Sequence, residues 1–127
     1  VSIFAKIMIA LVAMLHLYIA WFGIFAWQVQ GPATFPDLPV DLFRPTDAMA
    51  ANQGVYNFCL AAGLLWSLLI RDREWQRKVA SAFLLFVLAA GLFGAWRVSR
   101  DIALVQAGPA LIGLLLLWLP AGWKRRD

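Results

Sequence analysis

Residues 3–27, 48–70, 79–96 and 102–120 form four apolar runs, and their lengths constrain the fold more than any other feature of the chain. At about 1.5 Å rise per residue, a helix over each run reaches across a hydrocarbon core of ~30 Å, the last two with little to spare. In hydrocarbon every backbone N–H and C=O needs an internal partner, so a run of this kind crosses as a helix. The expected fold is all-α and membrane-integral: one domain, a four-transmembrane-helix bundle. The first run exceeds the ~7–15 residues of a signal-peptide core and has no small-x-small cleavage site before Gln28, so it is read as a helix too.

Composition agrees. The 127 residues are 63% hydrophobic and 14% charged, whereas a soluble domain carries about 25% charged residues. The net charge of +4 does not point to nucleic acid, because the cations flank the apolar runs, where they face lipid head groups and set topology. Lys6, Arg71, Arg73, Arg77, Lys78, Lys124, Arg125 and Arg126 fall on one side of a four-span layout; Arg44, Arg97 and Arg100 fall on the other. The positive-inside rule then places both termini in the cytoplasm. Trp27 and Trp96 mark the outer interface; Trp66, Trp75, Trp118 and Trp123 mark the inner one. The single cysteine, Cys59, excludes an intrachain disulfide and reads as a small buried residue.

Residues 28–47 are the one substantial segment between spans. Pro32, Pro36, Pro39 and Pro45 argue against a regular long helix, and Phe35, Leu38, Val40, Leu42 and Phe43 argue against a loose linker. An ordered outer lid is expected, ending in Pro45-Thr46-Asp47 as an N-cap for the second span. A faint repeat suggests two parallel helix hairpins: Phe22 to Trp27 against Leu92 to Trp96, and Gln53 to Trp66 against Gln106 to Trp118.

The second span carries the most unusual chemistry. At ~100° per residue, Asn52, Tyr56, Gln53 and Asn57 fall at about 0°, 40°, 100° and 140°, one polar arc at its outer end. Such side chains need partners in a membrane; a ligand recess and plain interhelical bonding, worth ~0.6 kcal/mol per bond, are both open. His16, the only histidine, lies near the middle of the first span. It is a helix-bonding imidazole, a proton carrier or a single axial ligand, and alone it completes neither a bis-His haem nor a zinc site. In the last span Pro109 frees the carbonyl of Val105, and the resulting kink beside Gln106 opens room for a polar recess or serves packing alone. Arg97 and Asp101 are four residues apart and positioned to pair on one helix. The stripes Ala90-x-x-x-Gly94 and Gly91-x-x-x-Ala95 admit a close helix neighbour.

The stretch Ala51-Asn52-Gln53-Gly54-Val55-Tyr56-Asn57, followed by Leu60-Ala61-Ala62-Gly63-Leu64, resembles the hallmark of the bacterial membrane family called domain of unknown function 1304. His16-Leu17-Tyr18-Ile19 with Phe25-Ala26-Trp27 resembles its first-span motif, and Gln106 with Pro109-Ala110 its last. The resemblance implies a small four-helix inner-membrane protein without an established activity. The family pattern places Glu-Met where this chain has Gly23-Ile24, so a His–Glu proton or metal pair is half missing here.

The motifs of nucleotide binding, zinc hydrolysis and serine catalysis do not occur, and the acidic residues lie outside the apolar runs or at their ends. No catalytic residue, cofactor or metal is assigned, and an enzyme is the least favoured class. His16, Asn52, Gln53, Tyr56, Asn57 and Gln106 are expected to converge on a polar recess under the lid, binding a small amphipathic molecule such as a lipid, quinone or pigment, with His16 as axial ligand for a pigment. The alternative is an accessory subunit of a larger membrane complex, with the polar arc as helix glue. The expected partners are the lipid bilayer and either such a complex or further copies of the chain, not nucleic acid.

Overall fold

Helices at the four apolar runs make up nearly all of the computed structural model, which describes residues 1–119. They are α1, Ile3–Thr34; α2, Asp47–Leu69; α3, Arg73–Arg97; and α4, Arg100–Trp118. Among the described residues there is no strand. Pro120, Trp123, Lys124, Arg125 and Arg126, which entered the reading of the last span and its charge, lie outside the described residues.

Short side-chain caps set three of the four starts. Ser2 accepts the Ala5 N–H at 3.1 Å, Asp72 accepts that of Trp75 at 2.9 Å, and Ser99 accepts that of Asp101 at 3.2 Å. Each satisfies a first-turn donor that has no partner inside its helix. Because Ser99 starts a new helix, Arg97 and Asp101 fall on different helices and lose the spacing that would pair them. Arg97 instead lies over the Trp96 ring, 5.1 Å from its centroid.

Tight turns at 70–72 and 98–99 alternate the helices up and down. Helix α1 packs against α2 and α4, and α3 packs against the same two, closing a ring of four. The core draws on all of them: Ala5, Ile9, Val12 and Ala13 from α1, Leu64 from α2, Ala80, Leu84 and Val87 from α3, and Ala110 and Leu117 from α4. One end of the bundle holds Arg71, Arg73, Arg77 and Lys78, and is called here the basic end. The opposite, connector end holds residues 35–46, which join α1 to α2.

Three helices, α1, α3 and α4, are long and apolar enough to cross a membrane. Helix α2 is long enough at 23 residues, but Asn52, Gln53 and Asn57 dilute its hydropathy. The prolines also act later than expected: α1 runs through Pro32 to Thr34, so only 35–46 is non-helical connector, with one 3₁₀ turn at Val40–Leu42. Cys59 is exposed on the surface of α2, not buried; it falls on the face turned away from the α1 crossing.

Two π turns interrupt the ladder, at Phe22–Ala26 in α1 and Ala103–Ala107 in α4. The second absorbs Pro109, because widening the preceding turn relieves the clash with the Val105 carbonyl. The first has no proline beside it. It sits where α1 crosses α2 closely: a Cβ on Gly23 would lie 2.6 Å from the Ala50 carbonyl oxygen, and one on Gly54 2.8 Å from that of Ala20. In both hairpins a glycine of the first helix faces the second, Gly23 toward Ala50 and Gly94 toward Ile102. The π turns break the likeness, one lying in the first helix of its hairpin and the other in the second.

Candidate functional site

The close crossing of α1 and α2 leaves a groove at the connector end. Its volume is about 360 Å³, at the lower end of the range for small-molecule sites. Ile19, Phe22, Gly23 and Trp27 of α1 form one wall; Met49, Ala50, Gln53, Gly54 and Asn57 of α2 form the other; Phe35 and Thr46 of the connector close the end. The lining residues of α2 repeat at three- and four-residue steps, one stripe of the helix.

Aromatic packing fixes the connector over this end. Phe43 is 2% exposed and lies 5.0 Å, centroid to centroid, from Trp27. Its ring fills the space a side chain at Gly31 would need. Phe35 stands 5.9 Å from Trp27 and 6.2 Å from Phe22, within the range of favourable ring contacts. The Trp27 indole N–H donates to the Thr46 hydroxyl at 2.9 Å, and that hydroxyl donates to the Leu42 carbonyl at 2.8 Å. Thr46 is the residue before α2, but its side chain ties the connector together and does not cap the helix.

The polar groups of the groove are few. Asn57 Nδ2 donates to the Gln53 carbonyl at 2.9 Å, leaving its Oδ1 as an acceptor. The Gln53 amide makes no hydrogen bond among the described residues, so its donor and acceptor are both open. None of the lining side chains is ionisable. The groove can therefore hold an apolar body against its rings and meet one polar head with amides; it has no acid, base or thiol with which to react. Among the described residues no group of three His, Cys, Asp or Glu side chains stands ready for a metal ion.

Of the six residues expected to converge, Gln53 and Asn57 line this groove and four do not. Asn52 and Tyr56 lie just beyond the lining, on the exposed side of α2, Tyr56 at 62%. His16 is buried in α1, its Nδ1 donating to the Val12 carbonyl at 2.8 Å. Gln106 lies in the π turn of α4, packed beside Gly91 of α3. Sequence reasoning missed Phe22, Trp27, Phe35, Thr46 and Met49. The one signal for them was the density of rings and prolines around the connector.

Residues 10–118 match the family described as Protein of unknown function (DUF1304). The chain belongs to that family. The match takes in α2 entirely, and with it the Gln53–Asn57 segment, together with the groove wall of α1. Uncharacterized protein YpaA of Lactococcus lactis subsp. lactis (strain IL1403) is 27% identical over 64 residues, 50% of this chain and 52% of YpaA. The matched part thus spans about half the length of that relative. No solved structure matches this DUF1304 member.

Proposed function

We propose that this DUF1304 protein is a four-span inner-membrane protein whose groove holds a small amphipathic molecule, with the polar head at Gln53 and Asn57 and the apolar body against Phe22, Trp27 and Phe35. The observation that carries the reading is the open Gln53 amide, beside Asn57, in a largely apolar, ring-lined groove. Unsatisfied amides are costly near hydrocarbon, and a ligand head group meets that need.

The membrane reading is supported by the bundle surface. Phe25 is 76% exposed, Leu69 80%, Leu104 74% and Phe86 57%, side chains that lipid solvates and water does not. We place α2 as the fourth span, because its 23 residues exceed the ~20 that a bilayer core requires and its amides gather near one end. The excess of cations at the basic end orients both termini toward the cytoplasm. On that placement the 32 residues of α1 exceed the ~20 that a bilayer core requires, and the last turns of α1 stand with the connector in the outer interface.

A second reading, an accessory subunit, has one observation in its favour. Asn52 and Tyr56 are exposed on α2 beside the groove and outside its lining, where a helix of another protein would satisfy them.

Purification in native nanodiscs, solvent extraction and mass analysis separate the two readings. A molecule recovered with wild-type protein and lost from Gln53→Leu supports the groove; equal recovery from both variants removes it.

A further inference from the structure

At the basic end, away from the groove, Arg77 is held in a way that no function assigned so far uses. Its guanidinium carbon lies 4.5 Å from the centroid of the Trp118 ring, and the Trp118 indole N–H donates to Ser81 Oγ at 2.9 Å. Arg77 and Ser81 are one turn apart on α3, so together they fix the indole, and the indole fixes the guanidinium. Arg77 Nε is buried and has no hydrogen-bond partner among the described residues. Arg73 stands one turn before Arg77 on the same face, and like charges at that spacing repel. The nearby carboxylates are engaged elsewhere: Glu74 pairs with Lys78 at 2.7 Å, and Asp72 caps α3. Two arginines therefore share a face with no anion between them among the described residues, beside exposed Trp75 and Trp118, the residue type that marks a membrane interface.

We propose that Arg73 and Arg77, with Arg77 braced by Trp118, bind the phosphate of an anionic phospholipid head group at the basic end. A planar guanidinium held on a ring is pre-ordered for phosphate oxygens. A phosphate between the two arginines removes their repulsion. The site rests on the membrane reading, but not on the groove.

The test is lipid retention. Protein is placed in nanodiscs of mixed phosphatidylcholine and phosphatidylglycerol, extracted in mild detergent, and its bound lipid counted by mass spectrometry. Phosphatidylglycerol is expected to be enriched about fivefold or more over its share of the mixture, the factor that one basic side chain gains against an anionic surface. Arg77→Met and Trp118→Leu abolish the enrichment, and Arg71→Gln leaves it unchanged. Should Arg77→Met fail to fold, Arg77→Lys keeps the charge without the planar fork and is expected to lose most of the enrichment. Equal loss in Arg71→Gln means diffuse surface charge and overturns the site, as does displacement of the lipid by millimolar inorganic phosphate. Release of the protein by alkaline carbonate overturns the membrane reading and this site with it; retention in the membrane without lipid enrichment overturns the site alone.

Discussion

Trp27 donates its indole N–H to the Thr46 hydroxyl at 2.9 Å, joining the late part of α1 to the residue before α2 across nineteen positions of sequence. The bond holds the connector against the groove. Thr46→Val keeps the shape and removes the acceptor, leaving a partly buried indole N–H unpaired. It is expected to cost about 1 kcal/mol and to speed amide exchange across 35–46 while α3 and α4 stay protected. Hydrogen exchange by mass spectrometry checks this; uniform exchange in both proteins contradicts it.

The contact of α1 with α2 depends on the absence of side chains at Gly23 and Gly54. Gly54→Val forces a branched side chain onto the Ala20 carbonyl and Ile24. Overpacking of this kind costs about 1–3 kcal/mol, and here the obstacle is backbone that cannot rotate away. Denaturant unfolding in detergent is expected to show that loss together with a widened groove, read as weaker retention of any bound molecule.

Gln76 joins the other end of α2 to α3. It is 5% exposed, and its Nε2 donates at 3.1 Å to the Ser67 carbonyl near the end of α2, which the Ile70 N–H otherwise reaches only at 3.3 Å. Gln76→Leu removes that bond and leaves the Ser67 carbonyl with the longer one from Ile70 alone; it is expected to cost about 1 kcal/mol, read as a lower thermal midpoint. An unchanged midpoint means that water serves the carbonyl equally well.

His16 and Gln53 give opposite expectations. The imidazole is turned to its own helix at Val12 and does not line the groove. Per folded protein, His16→Leu is therefore expected to retain a groove-bound molecule at the wild-type level, and Gln53→Leu to lose it. An absorption band present in the wild type and abolished by His16→Leu restores the axial-ligand reading.

The helices were legible because apolar runs of this length admit few structures. Gln53 and Asn57 were legible because amides stand out in an apolar run. Their separation from Asn52 and Tyr56 was also within reach: small Ala50 and Gly54 lie on the stripe of Gln53 and Asn57, and mark the face that another backbone approaches. The contact of Trp27 with Thr46 was not legible, since it depends on how a proline-rich segment turns back. Nor was the π turn at Phe22–Ala26, which arises from the crossing with α2, whereas that at Ala103–Ala107 has Pro109 as a local cause. The Arg97–Asp101 spacing misled because Ser99 begins a new helix between them.

The central claim, a groove that holds a small molecule, is tested most directly by native mass spectrometry of protein gently extracted from its own membrane. The account predicts a reproducible small-molecule mass on the wild type, one per chain, absent from Gln53→Leu. A fixed protein partner with no small-molecule mass, or the bare chain alone, would contradict it.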